Sequence, residues 1–233
     1  MSAAEAVPAA APARRSLRVL RFGAALTGIG LLLLGVPWWT LFVSGSRWPA
    51  AVVGAGTVLS LGTLLAFPAL MVAGHGRRHL DWAARTGDTI LGVVWLLFAW
   101  AIVGNVLGVG LVIGGVTDPT RSRIVAAAVA VVSLALAVWG YIEAMRVPRV
   151  RRVDVTIPRL GAGLDGVTVV LLTDTHYGPI DRTRWSTRVV DAINALDADI
   201  VCHIGDIADG TVEQRRAQAA PLGQFTPSWP ARM

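Results

Sequence analysis

Four long apolar runs occupy most of the chain up to residue 145. Each contains about 20 residues or more with few charges, which is the length that an α-helix needs to cross the hydrocarbon core of a bilayer. The predicted spans are 22–43, 50–73, 89–116 and 124–145. The composition agrees, because only 15% of the 233 residues are charged, whereas soluble domains have about 25%. We therefore predict a multi-span α-helical membrane region.

Arginines decide the predicted orientation of these helices. The chain has no lysine, and 21 arginines against 15 acidic residues give it a net charge of +6. Twelve arginines flank the spans on one side and three flank them on the other. The positive-inside rule assigns the richer side, and with it both termini, to the cytoplasm. We expect a multi-pass protein of the inner, or plasma, membrane.

Two segments outside the spans are rich in arginine. Residues 1–21 are predicted to form a disordered basic tail, because large apolar side chains are scarce there. Its Arg14-Arg15 pair resembles a twin-arginine export signal, but positive-inside anchoring is favoured because no convincing cleavage site follows. Residues 146–166 form an Arg-rich juxtamembrane linker, and guanidinium groups favour the phosphates of membrane lipid. Nucleic acid is not an expected partner, because no basic stripe with interleaved aromatic residues is present.

The spans themselves offer little chemistry. Their polar side chains are few, chiefly Asn105, so a transport function is not supported. The third span has overlapping small-xxx-small spacings, which let helix backbones approach closely. These glycines either pack within the chain, which is favoured, or form the face of a homo-oligomer. They are Gly104, Gly108, Gly110 and Gly114.

Beyond the juxtamembrane arginines the pattern changes to short β-like runs. Residues 153–157 alternate as an edge strand would, whereas 167–172 and 199–204 are continuous apolar runs typical of buried strands. Residues 183–196 between them have apolar positions at helical spacing. This order predicts an incomplete α/β fragment in which two parallel strands are joined by a right-handed crossover. The carboxyl ends of both strands then meet at one edge of the sheet.

Charged side chains follow both strands at that edge. Asp174 and His176 come after the first buried strand, and Asp206 follows the second. Two carboxylates and an imidazole suit divalent Mn, Fe or Zn, and a pair of such ions can clamp a phosphate and activate a water. Acidic residues at strand ends also often cap the next helix. The spacing alone leaves both interpretations open.

The sequence around these residues resembles a known enzyme family. Residues 170–178, VLLTDTHYG, and 199–210, DIVCHIGDIADG, are similar to the first two blocks of the calcineurin-like metallophosphoesterases. The multi-span region resembles the membrane-anchored bacterial members. The resemblance covers residues from about 150 to 222. It implies a hydrolase that cleaves phosphate esters with a two-metal-activated water, with Asp174 and His176 on the first divalent metal ion and Asp206 bridging both.

Later blocks of that family are absent from the 233 residues. The Gly-Asn-His and Gly-His-x-His blocks, which supply the remaining ligands and a leaving-group acid, do not occur. Residues 167–222 are then interpreted as the N-terminal part of the domain, and 223–233 as an unrelated tail of a truncated product. We expect such a chain to be inactive by itself. The alternative is a non-enzymatic membrane protein whose Arg-rich juxtamembrane segment binds anionic lipid or a protein partner.

The other histidines and acidic residues are predicted to have structural roles. His203 lies within the second buried strand and is expected to be packed or hydrogen-bonded. Asp209 is expected to cap a helix that begins near Thr211. His75 and His79 are four residues apart, but their arginine neighbours favour a basic interfacial turn over a metal site.

Overall fold

A computed structural model of the protein describes residues 12–77 and 79–228. Its α-helices and β-strands, in chain order, are α1 (Pro12–Trp38), α2 (Ala50–His75), α3 (Asp81–Ile113), α4 (Thr120–Ala144), β1 (Val169–Leu172), α5 (Thr183–Asn194), β2 (Ile200–His203) and α6 (Val212–Ala219). A π-helical segment, Trp39–Val43, continues α1. Short 3-10 turns lie at Ala162–Leu164 and Ala220–Gln224.

The chain divides into two compact units. Of the described residues, the helical unit comprises those up to Ala69 together with Thr89–Ala137. The α/β unit comprises the described residues of Leu70–Asp88 and those from Val138 onward. The turn between α2 and α3 and the end of α4 therefore belong to the same unit as the two strands.

Four helices are long and apolar enough to cross a membrane, as predicted. Large apolar side chains point outward along them, and Leu65 and Ile113 are 77% and 84% exposed. Helices that are apolar on all sides are typical of membrane spans. Together with the parallel β-α-β unit described below, these helices confirm the predicted fold class.

Three of the helices begin earlier than predicted, and among them α4 starts at Thr120 instead of residue 124. Helix α1 starts at Pro12, so residues 12–21 of the predicted disordered tail are helical, and residues 1–11 lie outside the described residues. The arginine and leucine residues that follow Pro12 are strong helix formers. Helix α3 starts at Asp81, whereas the predicted span begins at residue 89. The apolar pattern covers only the part of α3 that can lie in the hydrocarbon core of a membrane. The first turns of the helix contain polar residues and do not show that pattern.

Helices α3 and α4 pack closely in the helical unit. Ala101 of α3 is buried with Val125 and Val129 of α4. A Cβ atom added to Gly104 would lie 2.5 Å from Cγ2 of Val129 and 3.2 Å from Cγ1 of Val125. Gly104 therefore lets the two helices approach within the chain. Nothing lies within 4 Å of the same position on Gly110, and the homo-oligomer face stays a prediction.

Asn105 forms its polar contacts inside the helical unit. Its Nδ2 donates to Oγ1 of Thr40 at 2.8 Å and to the carbonyl oxygen of Ala101 at 2.7 Å. Thr40 is fully buried. Because interhelical polar contacts stabilise membrane helix packing, this amide has a structural role.

We expect Gly104→Leu to destabilise the helical unit. A leucine side chain there must displace Val125 and Val129, and overpacking of a fitted core typically costs about 1–3 kcal/mol. Thermal unfolding of the detergent-solubilised chain measures the effect. Gly110→Leu on the same helix is the control, because its side chain enters open space. Equal destabilisation by the two changes would contradict the assignment of Gly104 to intramolecular packing.

The α/β unit contains the predicted parallel β-α-β arrangement. Strands β1 and β2 pair in parallel, with Val169 opposite Ile200 and Leu172 opposite His203. Helix α5 is the crossover and packs its apolar face on the sheet. The buried core consists of Leu172, Tyr177, Trp185, Val189 and Ile193.

The edge strand predicted for residues 153–157 does not form. These residues are exposed, and among the described residues the sheet has the two strands β1 and β2. A strand is stable only where its backbone groups pair with a neighbour, and alternation of apolar and polar residues does not supply that neighbour. The alternation at 153–157 was therefore a wrong indication of a strand.

Residues 223–228, interpreted from the sequence as part of an unrelated tail, pack against the α/β unit. Phe225 contacts the buried core. The N–H of Thr226 donates to Oδ1 of Asn194 at 3.0 Å, and the N–H of Ser228 donates to the carbonyl oxygen of Ala198 at 3.0 Å. This segment thus joins the end of α5 to the start of β2, while residues 229–233 lie outside the described residues.

Candidate metal centre

The loops that follow β1 and β2 are joined by backbone hydrogen bonds. The N–H groups of Asp174, His176 and Tyr177 donate to carbonyl oxygens of the second loop at 3.3, 3.0 and 3.0 Å. The N–H of Asp209 donates back to the carbonyl oxygen of Tyr177 at 2.9 Å. The pairing between the strands therefore continues beyond the sheet and holds the two loops side by side.

Three residues of these loops have a left-handed backbone conformation. Asp174, His176 and Asp206 have φ angles of 56°, 41° and 45°. This conformation costs roughly 1–2 kcal/mol for a residue with a Cβ atom. Such residues cluster at active and ligand-binding sites, where the surrounding structure holds them in place. Here the extended pairing between the loops provides that support.

The side chains of these three residues meet in one exposed cluster. One imidazole nitrogen and one oxygen from each carboxylate lie within 4.8 Å of one another. The Nε2 atom of His176 is 3.8 Å from Oδ1 of Asp174 and 3.8 Å from Oδ2 of Asp206. An ion about 2.0–2.2 Å from each donor would fit between atoms at this spacing. The structure therefore brings the three predicted ligands together.

None of the three carboxylate and imidazole groups caps a helix. Helix α5 begins after Arg182, and α6 begins after Thr211. Thr211 forms a capping box with Gln214, in which each side chain bonds the backbone N–H of the other residue. The capping interpretation of Asp174 and Asp206 is therefore wrong.

Asp209 also does not cap α6, contrary to the sequence-based prediction. Its Oδ2 lies 3.1 Å from Nδ1 of His176. A carboxylate at Nδ1 favours the tautomer that carries the proton there, which leaves the lone pair of Nε2 facing Asp174 and Asp206. The Asp-x-x-Asp spacing from Asp206 to Asp209 was a signal for this role, but the nearby helix start suggested a cap.

His203 has the structural role predicted for it. Its Nε2 lies 3.0 Å from Oγ1 of Thr175, and this hydroxyl donates to the carbonyl oxygen of Ile207 at 2.9 Å. Thr175, which stands between Asp174 and His176 in the chain, is fully buried. The hydrogen bonds of Thr175 thus join β2 to both loops beneath the cluster.

His75 and His79 do not form a joint site among the described residues. His75 pairs with Asp88 at 2.8 Å on the exposed surface of the α/β unit. The carbonyl oxygen of His79 accepts a hydrogen bond from Nε2 of Gln214 at 2.7 Å. The turn between α2 and α3 is therefore attached to the start of α6.

Arg182 attaches the loop after β1 to the end of α4. Its Nη1 donates to the carbonyl oxygen of Thr175 at 3.2 Å, and its Nη2 donates to that of Ala144 at 2.9 Å. The guanidinium stacks over Trp185 at 3.9 Å from the ring centroid. Burial lowers the pKa of Arg182 from its usual value, with the nearby Tyr177 acting in the opposite direction. No local pattern in the sequence indicates this contact.

We expect Gly210→Ala to disturb the loop that carries Asp206 and Asp209. Gly210 has a φ of 116°, and an added Cβ would lie 2.8 Å from Oε1 of Gln214 and 3.0 Å from Nη2 of Arg215. Strained backbone of this kind costs about 1–3 kcal/mol. Thermal unfolding of the purified chain measures the loss. Gly163→Ala, where nothing lies within 4 Å, is the control and should leave stability unchanged.

These features define a class of protein: a multi-pass membrane protein with a small α/β unit whose strand ends carry a cluster of metal-ligand types. A transmembrane protein with metallophosphoesterase domain from Danio rerio is 32% identical over 158 residues, which are 63% of this chain and 35% of that protein. A protein of the same name from Bos taurus is 36% identical over 113 residues, or 48% of this chain and 25% of that protein. An uncharacterized metallophosphoesterase from Campylobacter jejuni is 28% identical over 87 residues, covering 37% of this chain and 22% of that protein.

The chain is thus homologous to proteins named for a metallophosphoesterase domain, from animals and from bacteria. It spans about a third of the length of the Danio rerio relative and a quarter of the Bos taurus relative. No family model matches the chain, and no solved structure matches it.

Proposed function

We propose that this chain contributes the membrane anchor and the first metal-binding half of a phosphoester hydrolase of the membrane-anchored bacterial type. The observation that carries the proposal is the Asp174, His176 and Asp206 cluster at the carboxyl ends of two parallel strands, with donor atoms within 4.8 Å of one another. The names of the homologues support the same activity class. The substrate would be a phosphate monoester or diester.

The donor set fits a divalent cation. Two carboxylates and one imidazole are ligands that Mn, Fe and Zn accept. Asp174 and His176 would hold the first ion, and Asp206 would bridge it to a second. A divalent ion in such a site lowers the pKa of a bound water and neutralises charge on a phosphate. His176 is oriented for this by Asp209, which holds its Nδ1 at 3.1 Å.

We further propose that the 233 residues alone hydrolyse phosphate esters poorly. The sequence has no Gly-Asn-His or Gly-His-x-His block to complete a second ion site or to protonate a leaving group. General acid catalysis typically contributes about 10²–10⁴-fold to such a reaction. We therefore expect this chain to bind one ion without hydrolysing phosphate esters efficiently.

A chimera tests the proposed activity. The segment of the Danio rerio relative that follows the second block is fused after residue 222, and Mn²⁺-dependent hydrolysis of aryl phosphate monoesters and diesters is measured in detergent. We expect little hydrolysis by the 233-residue chain, clear hydrolysis by the chimera, and loss of it in the chimera with Asp174→Ala. A folded chimera that binds Mn²⁺ without hydrolysing either ester would contradict the proposal.

A second proposed function concerns the juxtamembrane arginines. Arg151 and Arg152 are exposed, and the side chain of Arg149 is 77% exposed although it contacts Glu143 at 3.4 Å. We propose that this segment binds anionic headgroups on the cytoplasmic face of the inner membrane, where the positive-inside bias supports placing both termini. Each arginine near such a surface contributes about 1 kcal/mol.

Reconstitution into vesicles tests this second proposal. Changing Arg149, Arg151 and Arg152 to glutamine should weaken the protection of residues 146–159 from hydrogen exchange in vesicles that contain phosphatidylglycerol. Asp206→Asn should leave that protection unchanged. For the arginine variant, we expect equal protection in anionic and neutral vesicles. If the unchanged chain is also protected equally in both kinds of vesicle, lipid binding by this segment is contradicted.

A further inference from the structure

We propose that Asp81, at the start of α3, is a positioning residue for the candidate metal centre, acting on His176 through Arg215 and Asp209. The inference rests on the proposed metal function of that centre. It assigns part of the support of the centre to the turn between two membrane-spanning helices. The whole set of contacts lies within the α/β unit.

The first contact is an ion pair between Asp81 and Arg215, which are 134 residues apart in the chain. Arg215 donates from Nη2 to Oδ1 of Asp81 at 2.6 Å and from Nη1 to Oδ2 at 2.8 Å. Only 5% of the Arg215 side chain is exposed. The hydrogen bonds to Asp81 raise the pKa of Arg215 above its usual value. A bidentate pair of this kind fixes the plane of the guanidinium.

The second contact carries that fixed geometry to the loop after β2. The Nε atom of Arg215 donates to the carbonyl oxygen of Asp209 at 2.6 Å. Since Nε and the two Nη atoms lie in one plane, the orientation set by Asp81 also sets the position of the Asp209 backbone. Gln214 adds a second attachment of α6 to the same turn through the carbonyl oxygen of His79.

The third contact reaches the candidate ligand. The Oδ2 atom of Asp209 lies 3.1 Å from Nδ1 of His176, whose Nε2 faces Asp174 and Asp206 at 3.8 Å each. The side chains of His176 and Asp209 are 46% and 62% exposed, so their own packing does not hold the imidazole in place. The buried Arg215 is therefore the fixed point from which Asp209 orients His176.

The test measures Mn²⁺ binding by the full chain in nanodiscs with electron paramagnetic resonance. Asp81→Asn is expected to weaken Mn²⁺ binding by about tenfold or more, because changes to groups that orient ligands typically cost 10–100-fold. It should also reduce the nitrogen coupling of an imidazole to the bound Mn²⁺. Arg215→Lys keeps the charge but loses the planar bidentate contact, and it should have the same effect. Helix content measured by circular dichroism should stay unchanged.

The matched control is Asp88→Asn on the same helix. Asp88 pairs with His75 at 2.8 Å, and both side chains are about half exposed. This change alters a side-chain hydrogen bond of the same turn region without touching Arg215, so Mn²⁺ affinity should be unchanged. The conservative change Asp81→Glu keeps a carboxylate for Arg215 and should restore most of the binding lost in Asp81→Asn.

The inference is overturned if Asp81→Asn and the unchanged chain have the same Mn²⁺ affinity and the same nitrogen coupling. Equal weakening by Asp88→Asn would overturn it as well. If the unchanged chain binds no Mn²⁺, the proposed function fails, and hydrogen exchange of the metal-free chain decides the inference. Faster exchange at residues 174–178 and 205–210 in Asp81→Asn, but not in Asp88→Asn, would support the positioning role, and unchanged exchange would exclude it.

Discussion

Replacement of Asp206 by asparagine is expected to reduce the affinity of the chain for Mn²⁺ by more than about 100-fold, because changes to groups that only orient ligands already cost 10–100-fold. Asp206 contributes one of the two carboxylates that approach Nε2 of His176. Removing its charge leaves one carboxylate and one imidazole, which is a weak donor set for a divalent ion. Isothermal titration calorimetry on the detergent-solubilised chain measures the change.

Asparagine is the informative substitution at this position. Asp206 has a φ of 45°, and asparagine is among the residues that tolerate the left-handed conformation. The change therefore removes charge while it keeps the backbone and the shape of the side chain. Alanine or leucine would add strain to the loss of the ligand, and the two effects could not be separated.

Asp197→Asn is the matched control for this experiment. Asp197 also has a left-handed backbone, with a φ of 49°, but it lies at the opposite end of β2 from the cluster. We expect its Mn²⁺ affinity to equal that of the unchanged chain. A comparable loss of affinity in both variants, or no loss in Asp206→Asn, would contradict the assignment of Asp206 as a ligand.

The second large effect is expected from Trp185→Ala in the α/β unit. Trp185 is 4% exposed and packs edge-on against Tyr177, with ring centroids 6.5 Å apart. Its Nε1 donates to the carbonyl oxygen of Arg146 at 2.8 Å, and Arg182 stacks on its face. Truncation of a buried aromatic residue typically costs about 3–5 kcal/mol, which is a large part of the stability of a small unit.

Trp185→Ala should therefore also weaken the candidate metal centre. Tyr177 is fully buried and follows His176 directly, and its hydroxyl is 2.7 Å from Oγ of Ser186. Burial raises the pKa of that hydroxyl. Loss of the indole leaves Tyr177 without its aromatic contact, so we expect lower Mn²⁺ affinity together with faster hydrogen exchange across β1 and β2.

Two variants separate packing from the hydrogen bond and from tryptophan content. Trp185→Phe keeps an aromatic ring against Tyr177 but loses the donor to Arg146, and it should cost about 1 kcal/mol, the usual worth of one hydrogen bond. Trp82→Ala removes a tryptophan that is 64% exposed in the same unit and should leave exchange in the strands unchanged. Unchanged hydrogen exchange across β1 and β2 in Trp185→Ala would contradict the role of Trp185 in this core.

Local sequence patterns predicted the four membrane helices and the β-α-β unit. The four apolar runs are long enough to span a bilayer, so the membrane helices follow from length and hydropathy alone. The β-α-β order and the placement of Asp174, His176 and Asp206 directly after the strands follow from the rule that parallel strands end at one edge. These predictions depend only on residues close together in the chain, together with one well-established rule of connection.

Contacts between distant residues were decided by the tertiary structure alone. Residues 153–157 have the alternation of a strand, yet no strand forms there because the described chain places no neighbour beside them. Asp209 stands where a helix cap is usual, but Thr211 takes that role and Asp209 meets His176. The position of Asp209 depends on Arg215, which pairs with Asp81, 134 residues earlier in the chain. The local sequence does not indicate which partner a charged side chain will have, because that partner depends on how the elements pack. The sequence by itself therefore determined the membrane helices, the β-α-β unit and the candidate ligands. The tertiary structure decided which contacts hold those candidate ligands in position.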